Sequence, residues 1–459
     1  MKQMHPALQA LERHGIVSEA DYLRIGEFPA KKIFAIYGDV YRAVLDLQRK
    51  QFADHASSAV TLDPFSFVAS AALRGDLGCG AVPCRLKKLD LLARYAALYA
   101  NEVTVPLSLE EQTSRLGVTS ARSMIARAAM TLTRLRPLIE ARVVTPVIMR
   151  SFHCPHTIKW AKEMVEVVHA VADLESQDLS SEFRVVYQRP ERAPTGRSTA
   201  YITGPEEFIE HGELVALFDE SPGWRAKSWK FDRDGMTELR GDKKLAFLRR
   251  IFNEIADDTT FYLAYGRRKN ARYLTDLRGE AFLLEGSTQD DEVSATNKAV
   301  GELLNHTVPL LGDLSIETLL RIRREERDSF LKYRSALNRV LKDVAGRQKH
   351  VGKREVRDLY KQVIEPQLIG MRAEMHQERR RQIRRIVGGL GTLAATVSLG
   401  IFGGVVPLVI KGTVAAAGAM VGGRLLSKAA EAQCEHGAML KEKNDFYFLL
   451  RLTQETEVH

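Results

Sequence analysis

Cysteine is scarce in this chain, and the short motifs that identify common enzyme classes are missing. Four cysteines among 459 residues are too few to staple a chain of this length with disulfides. The sequence has no GxxxxGK[ST] phosphate loop, no GxSxG nucleophile elbow and no HExxH pair. These absences favour a protein that is not an enzyme, and we expect no bound cofactor.

The amino terminus and the composition indicate a body that folds in water. The first 15 residues, MKQMHPALQALERHG, lack the charged start, apolar centre and cleavage site of a secretory signal. Charged residues make up 27% of the chain and hydrophobic residues 45%, which is typical of globular proteins. The net charge of +9 favours anionic partners, either nucleic acid or a membrane surface. We therefore expect a cytoplasmic body.

The hydrophobic periodicity predicts a mixed α/β protein that is predominantly helical. The stretch LDLLARYAALYANEVTVP predicts a helix followed by a short strand, while EFRVVYQRP and TAYITGPEE alternate as strands do. A further helix is predicted to end near Gly266, before a strand at Ala271–Leu274. We divide the chain into a helical region at 1–90, in which residues 1 to about 60 are predicted to form short helices, an α/β body at 91–310, long charged helices at 311–385, an apolar hairpin at 386–430 and a tail at 431–459.

Helix dominates after Ser315, which is placed to cap the first of the long helices. An apolar seam follows at alternating gaps of three and four residues, formed by Phe330, Tyr333, Leu337, Val340 and Val344. Pro366 predicts an interruption or kink in the next helix. The terminal NDFYFLLRL is predicted to pack on the body rather than on a membrane. The seam makes a homo-oligomer through these helices one expectation.

The most unusual feature is the apolar block Ile386–Leu426. Residues 386–410 carry no charge, and about 20 such residues in a helix cross the hydrocarbon of a bilayer. The stretch Gly403–Pro407 is the expected break, because glycine and proline weaken a continuous helix. The block is therefore predicted to form a helical hairpin.

Small residues and flanking arginines support insertion of this hairpin into a membrane. Glycines four residues apart on each arm allow close helix packing; they are Gly400, Gly404, Gly418 and Gly422. Arginines before the first arm are predicted to contact anionic lipid; they are Arg379, Arg380, Arg381, Arg384 and Arg385. The positive flanks place both ends on the cytoplasmic side of the inner membrane.

The alternative is a buried helix pair in a soluble domain, but the block shows no polar face such as surface helices have. The layout resembles the hydrophobic helical hairpin of pore-forming colicins, in which Ala/Gly-rich arms are attached to a charged, water-soluble helical body. The resemblance covers about a tenth of the chain and concerns the architecture alone. It implies that one chain can be soluble and then insert when activated.

Two groups of residues suit metal ions. Cys79, Cys84, Cys154 and His156 have the ligand chemistry of a zinc site if their loops converge. Structural cysteines and histidines are the alternative. Asp257, Asp258 and Asp276 resemble the later part of a PIN-type nuclease, in which carboxylates hold magnesium or manganese. Ordinary helix capping and solvation of these acids is the alternative. Asn101 and Glu102 stand where the first aspartate of that family is expected.

Residues 109–128, LEEQTSRLGVTSARSMIARA, resemble a helix-turn-helix with Gly117 at the turn. Ser120, Arg122 and Ser123 would then face a DNA groove and Arg127 a phosphate. Gln112 departs from the pattern, because an apolar residue is usually buried there.

These features together predict a membrane-associating bacterial effector, such as a toxin or an anti-phage defence protein. Its α/β body would sense or regulate, and its carboxyl-terminal hairpin would insert in the inner membrane, with anionic lipid as the partner. The alternative is a soluble nucleic-acid-binding protein or a PIN-like nuclease.

Overall fold

The computed structural model divides the chain into two compact units, an amino-terminal unit (Met1–Gly301) and a carboxyl-terminal unit (Glu302–His459). The structure describes 4–55, 65–71, 73–75, 81–109, 117–148, 177–189, 191–192, 198–205, 212–218, 230–269, 271–275, 314–347, 360–374, 441–442 and 444–456, with single positions at 165, 169, 172, 173, 358 and 377. Helix accounts for 63% of these residues, and two sheets are present, so the predicted mixed α/β class is confirmed.

The described helices are α1 (Pro6–Arg13), α2 (Glu19–Leu23), α3 (Ala30–His55), α4 (Val82–Leu98), α5 (Val118–Arg134), α6 (Arg136–Glu140), α7 (Gly241–Lys269), α8 (Ile316–Glu325), α9 (Arg327–Arg347) and α10 (Tyr447–Thr456). The described strands are β1 (Ser66–Ala69), β2 (Glu102–Leu107), β3 (Val144–Ile148), β4 (Arg184–Gln188), β5 (Ser198–Thr203), β6 (Glu213–Phe218), β7 (Met236–Glu238) and β8 (Arg272–Leu274).

The first sheet is parallel and has the order β3-β2-β1-β8. Helix α4 connects β1 to β2, and α5 with α6 connects β2 to β3, as parallel strands require a crossover. The central strands are almost wholly buried, since helices cover such sheets. Phe67 of β1 packs edge-on against Tyr95 of α4, with ring centroids 5.2 Å apart.

The second sheet is antiparallel, has the order β6-β5-β4-β7 and is inserted in the chain between β3 and β8. Helix α7 follows the antiparallel sheet in the chain and packs against buried residues of both sheets. Phe247 and Phe252 of α7 belong to the same buried cluster as Val185 of β4. Further along α7, Gly266 lies so close to the carbonyl oxygen of Ala271 that a β-carbon would meet it at 2.8 Å. The long helix therefore links the two sheets.

The amino-terminal helices α1, α2 and α3 contact α5, and α3 also contacts β3, an edge strand of the parallel sheet. Gln48 of α3 hydrogen-bonds the backbone of Ile148 twice, with its amide nitrogen donating to the carbonyl and its amide oxygen accepting from N–H, both at 3.1 Å. Helix α3 has 26 residues. The expectation of short helices alone in this region is therefore wrong, because α3 is long enough to bury a full face against its neighbours.

Several elements predicted from the sequence are confirmed. The helix and strand predicted from LDLLARYAALYANEVTVP are α4 and β2, and the alternating stretches are β4 and β5. The predicted strand near 271–274 is β8. The sequence analysis assigned no strand to residues 66–69, which form β1 in the middle of the parallel sheet.

Candidate membrane-anchor site

The apolar block and its flanking arginines lie outside the described residues. This applies to Gly400, Gly404, Gly418 and Gly422 and to Arg379, Arg380, Arg381, Arg384 and Arg385. Within the part of the chain that the structure describes, no helix has both the length and the apolarity to cross a bilayer. The hairpin therefore stays a prediction. The structure describes helical segments that precede and follow it in the chain.

Helix α8 begins the carboxyl-terminal unit where the sequence predicts. The Ser315 hydroxyl accepts a hydrogen bond from the Thr318 amide at 3.1 Å, which satisfies one of the open donors at the helix start. Arg321 binds Glu325 one turn later, at 3.0 Å. The serine cap is therefore confirmed.

The apolar seam of α9 packs on the carboxyl-terminal helix of the same chain. Phe448 is fully buried, with its ring centroid 5.2 Å from that of Phe330 and 5.5 Å from that of Tyr333. Phe446 is also buried and meets Tyr333 at 6.2 Å. The aromatic run of NDFYFLLRL therefore packs on α9 within the carboxyl-terminal unit rather than on the body at 91–310, and this part of the seam is occupied within the chain. Leu337 is buried as well.

Three polar contacts hold the chain segment that follows the apolar block. The Lys441 ammonium lies 2.7 Å from a Glu326 carboxylate oxygen, and the Arg339 guanidinium lies 2.9 Å from Asp445. Lys332 donates through Nζ to the Glu442 carbonyl at 3.2 Å. These contacts join residues 441–445 to α8 and α9 before α10 begins.

The surroundings of Glu326 raise the pKa values of Lys441 and Tyr447. The hydrogen bond to Glu326 raises the pKa of Lys441, so this side chain is charged throughout the physiological range. Burial is the main cause that raises the pKa of Tyr447, with the Glu326 charge second, so its hydroxyl keeps its proton.

Two arginines flank Phe330 in this unit. The guanidinium carbon of Arg323 lies 4.3 Å from the Phe330 ring centroid, and that of Arg334 lies 5.3 Å from it. Burial, followed by the like charge of Arg334, lowers the pKa of Arg323 to about 10. Arg323 remains cationic at neutral pH, and the aromatic face of Phe330 partly offsets its desolvation.

The segment before the apolar block is also packed. A π-helical turn, Tyr360–Ile364, comes directly before Pro366, and helix continues through residues 365–374. Proline has no N–H to donate to the carbonyl four residues earlier, so a widened turn is expected there. Of the predicted interruption or kink, the structure shows this π-helical turn, after which helix continues through Pro366. Ile364, Leu368 and Met371 are buried.

Most of the predicted metal ligands lie outside the described residues, so their convergence stays a prediction. Cys84 is a half-buried thiol in the first turn of α4, whereas Cys79, Cys154, His156 and Asp276 lie outside the described residues. Asp258 falls within α7, and its side chain is not described. Its neighbour Asp257 contacts His169 at 2.8 Å. In the described ranges, no group of three or more His, Cys, Asp or Glu residues is placed to hold a metal ion.

The predicted DNA-reading helix serves in the fold as the β2–β3 crossover, α5. Arg122 donates to the Phe28 carbonyl at 2.9 Å, which ties α5 to the amino-terminal helices. Ser120, Ser123 and Arg127 are exposed. DNA binding therefore stays a prediction for these three residues, while Arg122 already has a contact inside the protein.

No sequence pattern reveals that Lys441 and Asp445 hold the chain after the apolar block. Their partners, Glu326 and Arg339, stand more than 100 positions earlier, so no local spacing relates the members of each pair. The only local signal was the aromatic run at 446–448, which predicted packing but not its polar contacts.

Comparisons with family models, with curated proteins and with solved structures found no match. The function proposed below is therefore argued from the residues of this chain and their contacts.

Proposed function

We propose that this protein is a membrane-acting effector whose apolar segment 386–426 inserts into a bilayer as a helical hairpin. The observation that carries the proposal is the run of 25 uncharged residues at 386–410, preceded by a basic segment. The expected break at Gly403–Pro407 divides the block into two arms of roughly 18 to 20 residues, about 30 Å each at 1.5 Å per residue, which matches the about 30 Å of hydrocarbon. The second arm, after Lys411, is uncharged to residue 423.

The described packing of the flanking segments supports an anchored hairpin. Helix 365–374 precedes the apolar block with buried apolar residues, and Lys441 and Asp445 attach the chain after it to α8 and α9. Both flanks belong to the carboxyl-terminal unit. A segment held at both ends in one unit can leave or enter a bilayer as a hairpin while that unit keeps its own core.

Electrostatic attraction supports an anionic membrane as the partner. Residues 371–385 contain six arginines and two glutamates, a net charge of +4. Each basic residue near an anionic surface contributes about 1 kcal/mol. We propose that these arginines, including Arg379–Arg381, Arg384 and Arg385, bind lipid headgroups on the cytoplasmic side of the inner membrane.

The biological role that this layout suits is that of a bacterial toxin or an anti-phage defence protein. In this proposal the α/β unit regulates release of the hairpin, and the inserted hairpin damages or holds the membrane. The colicin-like architecture supports a chain that is soluble before insertion. None of the described residues supplies an observation that favours the nuclease alternative.

Co-sedimentation with vesicles tests the proposal. The full chain is expected to sediment with vesicles containing anionic phosphatidylglycerol and to release a trapped dye, and a chain lacking residues 386–426 is expected to do neither. Replacing the five arginines 379–381, 384 and 385 by glutamine should weaken sedimentation by at least about tenfold, from the summed surface attraction.

Vesicles of neutral phosphatidylcholine serve as the control for charge, and circular dichroism shows that each variant is folded. The proposal is wrong if the full chain and the deletion variant bind anionic vesicles equally or not at all.

A further inference from the structure

Residues 441–445, which we call the strap, differ in chemistry from the residues that follow them. The strap reads KEKND and has no apolar side chain, whereas residues 446–450 read FYFLL. Phe446 and Phe448 are buried in the core that they form with α9. The strap is therefore attached to the carboxyl-terminal unit by polar contacts, and the residues after it are attached by apolar packing.

The two ion pairs of the strap are open to water. The Arg339 and Asp445 side chains are 67% and 47% exposed. Those of Lys441 and Glu326 are 36% and 20% exposed. An open groove is lined by Asp445 together with residues of α9, among them Leu331. Because exposed ion pairs contribute little free energy, the strap is held weakly compared with the aromatic residues after it.

Three cations make the attachments of the strap, and anionic lipid offers each of them a second partner. Lys332 and Arg339 of α9 and Lys441 of the strap bind the Glu442 carbonyl, Asp445 and Glu326, respectively. Phosphate oxygens of a headgroup accept hydrogen bonds from the same ammonium and guanidinium groups. The attraction of one basic residue to an anionic surface and the strength of one exposed ion pair are of the same order. The exchange is therefore close to balance, and a high local concentration of headgroups drives it.

Opening the strap lengthens the connection between the apolar block and the folded core. Fourteen residues separate Leu426, the last residue of the block, from Lys441. When the strap detaches, the first attached residue becomes Phe446, and the connection gains five residues. Fully extended, these five residues span about 17 Å, which is more than half of the about 30 Å of hydrocarbon that each arm crosses. The buried aromatic residues keep the core of the unit closed meanwhile.

We propose that the strap is an autoinhibitory contact, which restrains the apolar block and opens when anionic headgroups bind Lys332, Arg339 and Lys441. In water these cations keep their protein partners, and the connection to the apolar block stays short. At an anionic bilayer they exchange these partners for headgroups, and the block gains the length that it needs to insert. This inference rests on the proposed function, since it concerns when the hairpin inserts.

Dye release by two charge-matched double variants tests the restraint. Glu326→Gln with Asp445→Asn removes both ion pairs of the strap. This variant is expected to release dye from anionic vesicles about fivefold faster per bound molecule than the wild type, the scale of two exposed ion pairs. Glu317→Gln with Glu325→Gln changes the net charge equally at exposed positions of α8, where Glu325 pairs with Arg321. The control is expected to match the wild type within about twofold.

A charge exchange tests whether the ion pair itself is the restraint. Asp445→Arg alone places two like charges together and is expected to speed dye release per bound molecule. Adding Arg339→Asp restores an ion pair of reversed polarity and the original net charge, so the rate is expected to return to that of the wild type. A double variant as fast as Asp445→Arg alone overturns the restraint.

Hydrogen exchange of the wild type locates the opening without any substitution. Vesicles of anionic phosphatidylglycerol are expected to speed exchange in residues 441–445, while the amides of residues 448–452 stay protected. Neutral phosphatidylcholine vesicles are expected to change neither segment. Protection of residues 441–445 that is equal or greater with anionic vesicles overturns the opening of the strap.

The outcomes separate this inference from the proposed function. If the wild type releases dye and the strap variant releases it no faster than its charge-matched control, the strap is not a restraint and the proposed function stands. If neither the wild type nor any variant releases dye from anionic vesicles, the proposed function is wrong, and the role of the strap in insertion is overturned with it.

Discussion

At the scale of single residues, His5 makes the stability of the amino-terminal unit depend on pH. Its Nδ1 accepts a hydrogen bond from the Ala7 amide at 3.2 Å and so caps α1. Burial lowers the pKa of His5 from 6.5 to about 4, because a charged ring is poorly solvated there. Protonation at Nδ1 would also remove the acceptor that the cap requires.

We expect acid to destabilise the amino-terminal unit through His5. Between about pH 6.5 and about pH 4, the unfolded chain binds a proton at this residue and the folded chain does not, so the free energy of unfolding falls as the pH falls. His5→Asn keeps a capping acceptor and removes this titration.

Thermal unfolding at pH 7.5 and pH 5.0 measures the effect. The wild type is expected to lose about 1 kcal/mol more than His5→Asn at the lower pH, after allowance for partial exposure. An identical loss in both proteins rules out His5 as the source.

Local signals predicted some residues correctly and left others unrecognised. Ser315 was identified as a cap because its bonding partner is three residues away. Arg74 was not singled out, since its contacts with Pro106 and Tyr262 span 32 and 188 positions and exist only in the folded chain. The zinc and nuclease candidates depend in the same way on the convergence of distant loops.

At the scale of elements, α10 completes the core of the carboxyl-terminal unit. Phe448 is fully buried between Phe330 and Tyr333 of α9. Phe448→Ala is expected to lower the free energy of unfolding of this unit by about 3–5 kcal/mol, because it removes a buried ring and leaves a cavity.

Leu331→Ala is the matched control on α9, since Leu331 is 38% exposed and should cost no more than about 0.5 kcal/mol. Denaturant titration followed by circular dichroism measures both variants. Similar costs for the two substitutions would show that α10 does not form this core.

Periodicity along an element and the sequence distance to its partners explain which elements the sequence predicts. Helices α4 and α7 are long and periodic, so their patterns are recognisable. Strand β1 has four residues, and its place in the sheet depends on pairing with β2 and β8, which follow it by about 35 and 205 positions.

At the scale of the whole molecule, a folded α/β unit and a helical unit are joined in one chain with an apolar segment of 41 residues. The sequence predicts this segment from its apolarity, since only Lys411 and Arg424 are charged within it. A bilayer selects for length and apolarity rather than for distant contacts. Regulation by the amino-terminal unit and insertion by the carboxyl-terminal unit are the two parts of our proposal.

The depth of a tryptophan in the hairpin tests insertion most directly. Phe402→Trp places the probe in the first arm, and Leu23→Trp places a control on the exposed surface of the amino-terminal unit, where Leu23 is 58% exposed. The three native tryptophans provide the background, measured in the wild type.

With lipids brominated in the acyl chains, we expect the added fluorescence of Phe402→Trp to be quenched on anionic vesicles and that of Leu23→Trp to be unchanged. An unquenched probe at position 402 in protein that has sedimented with the same vesicles would contradict insertion of the hairpin.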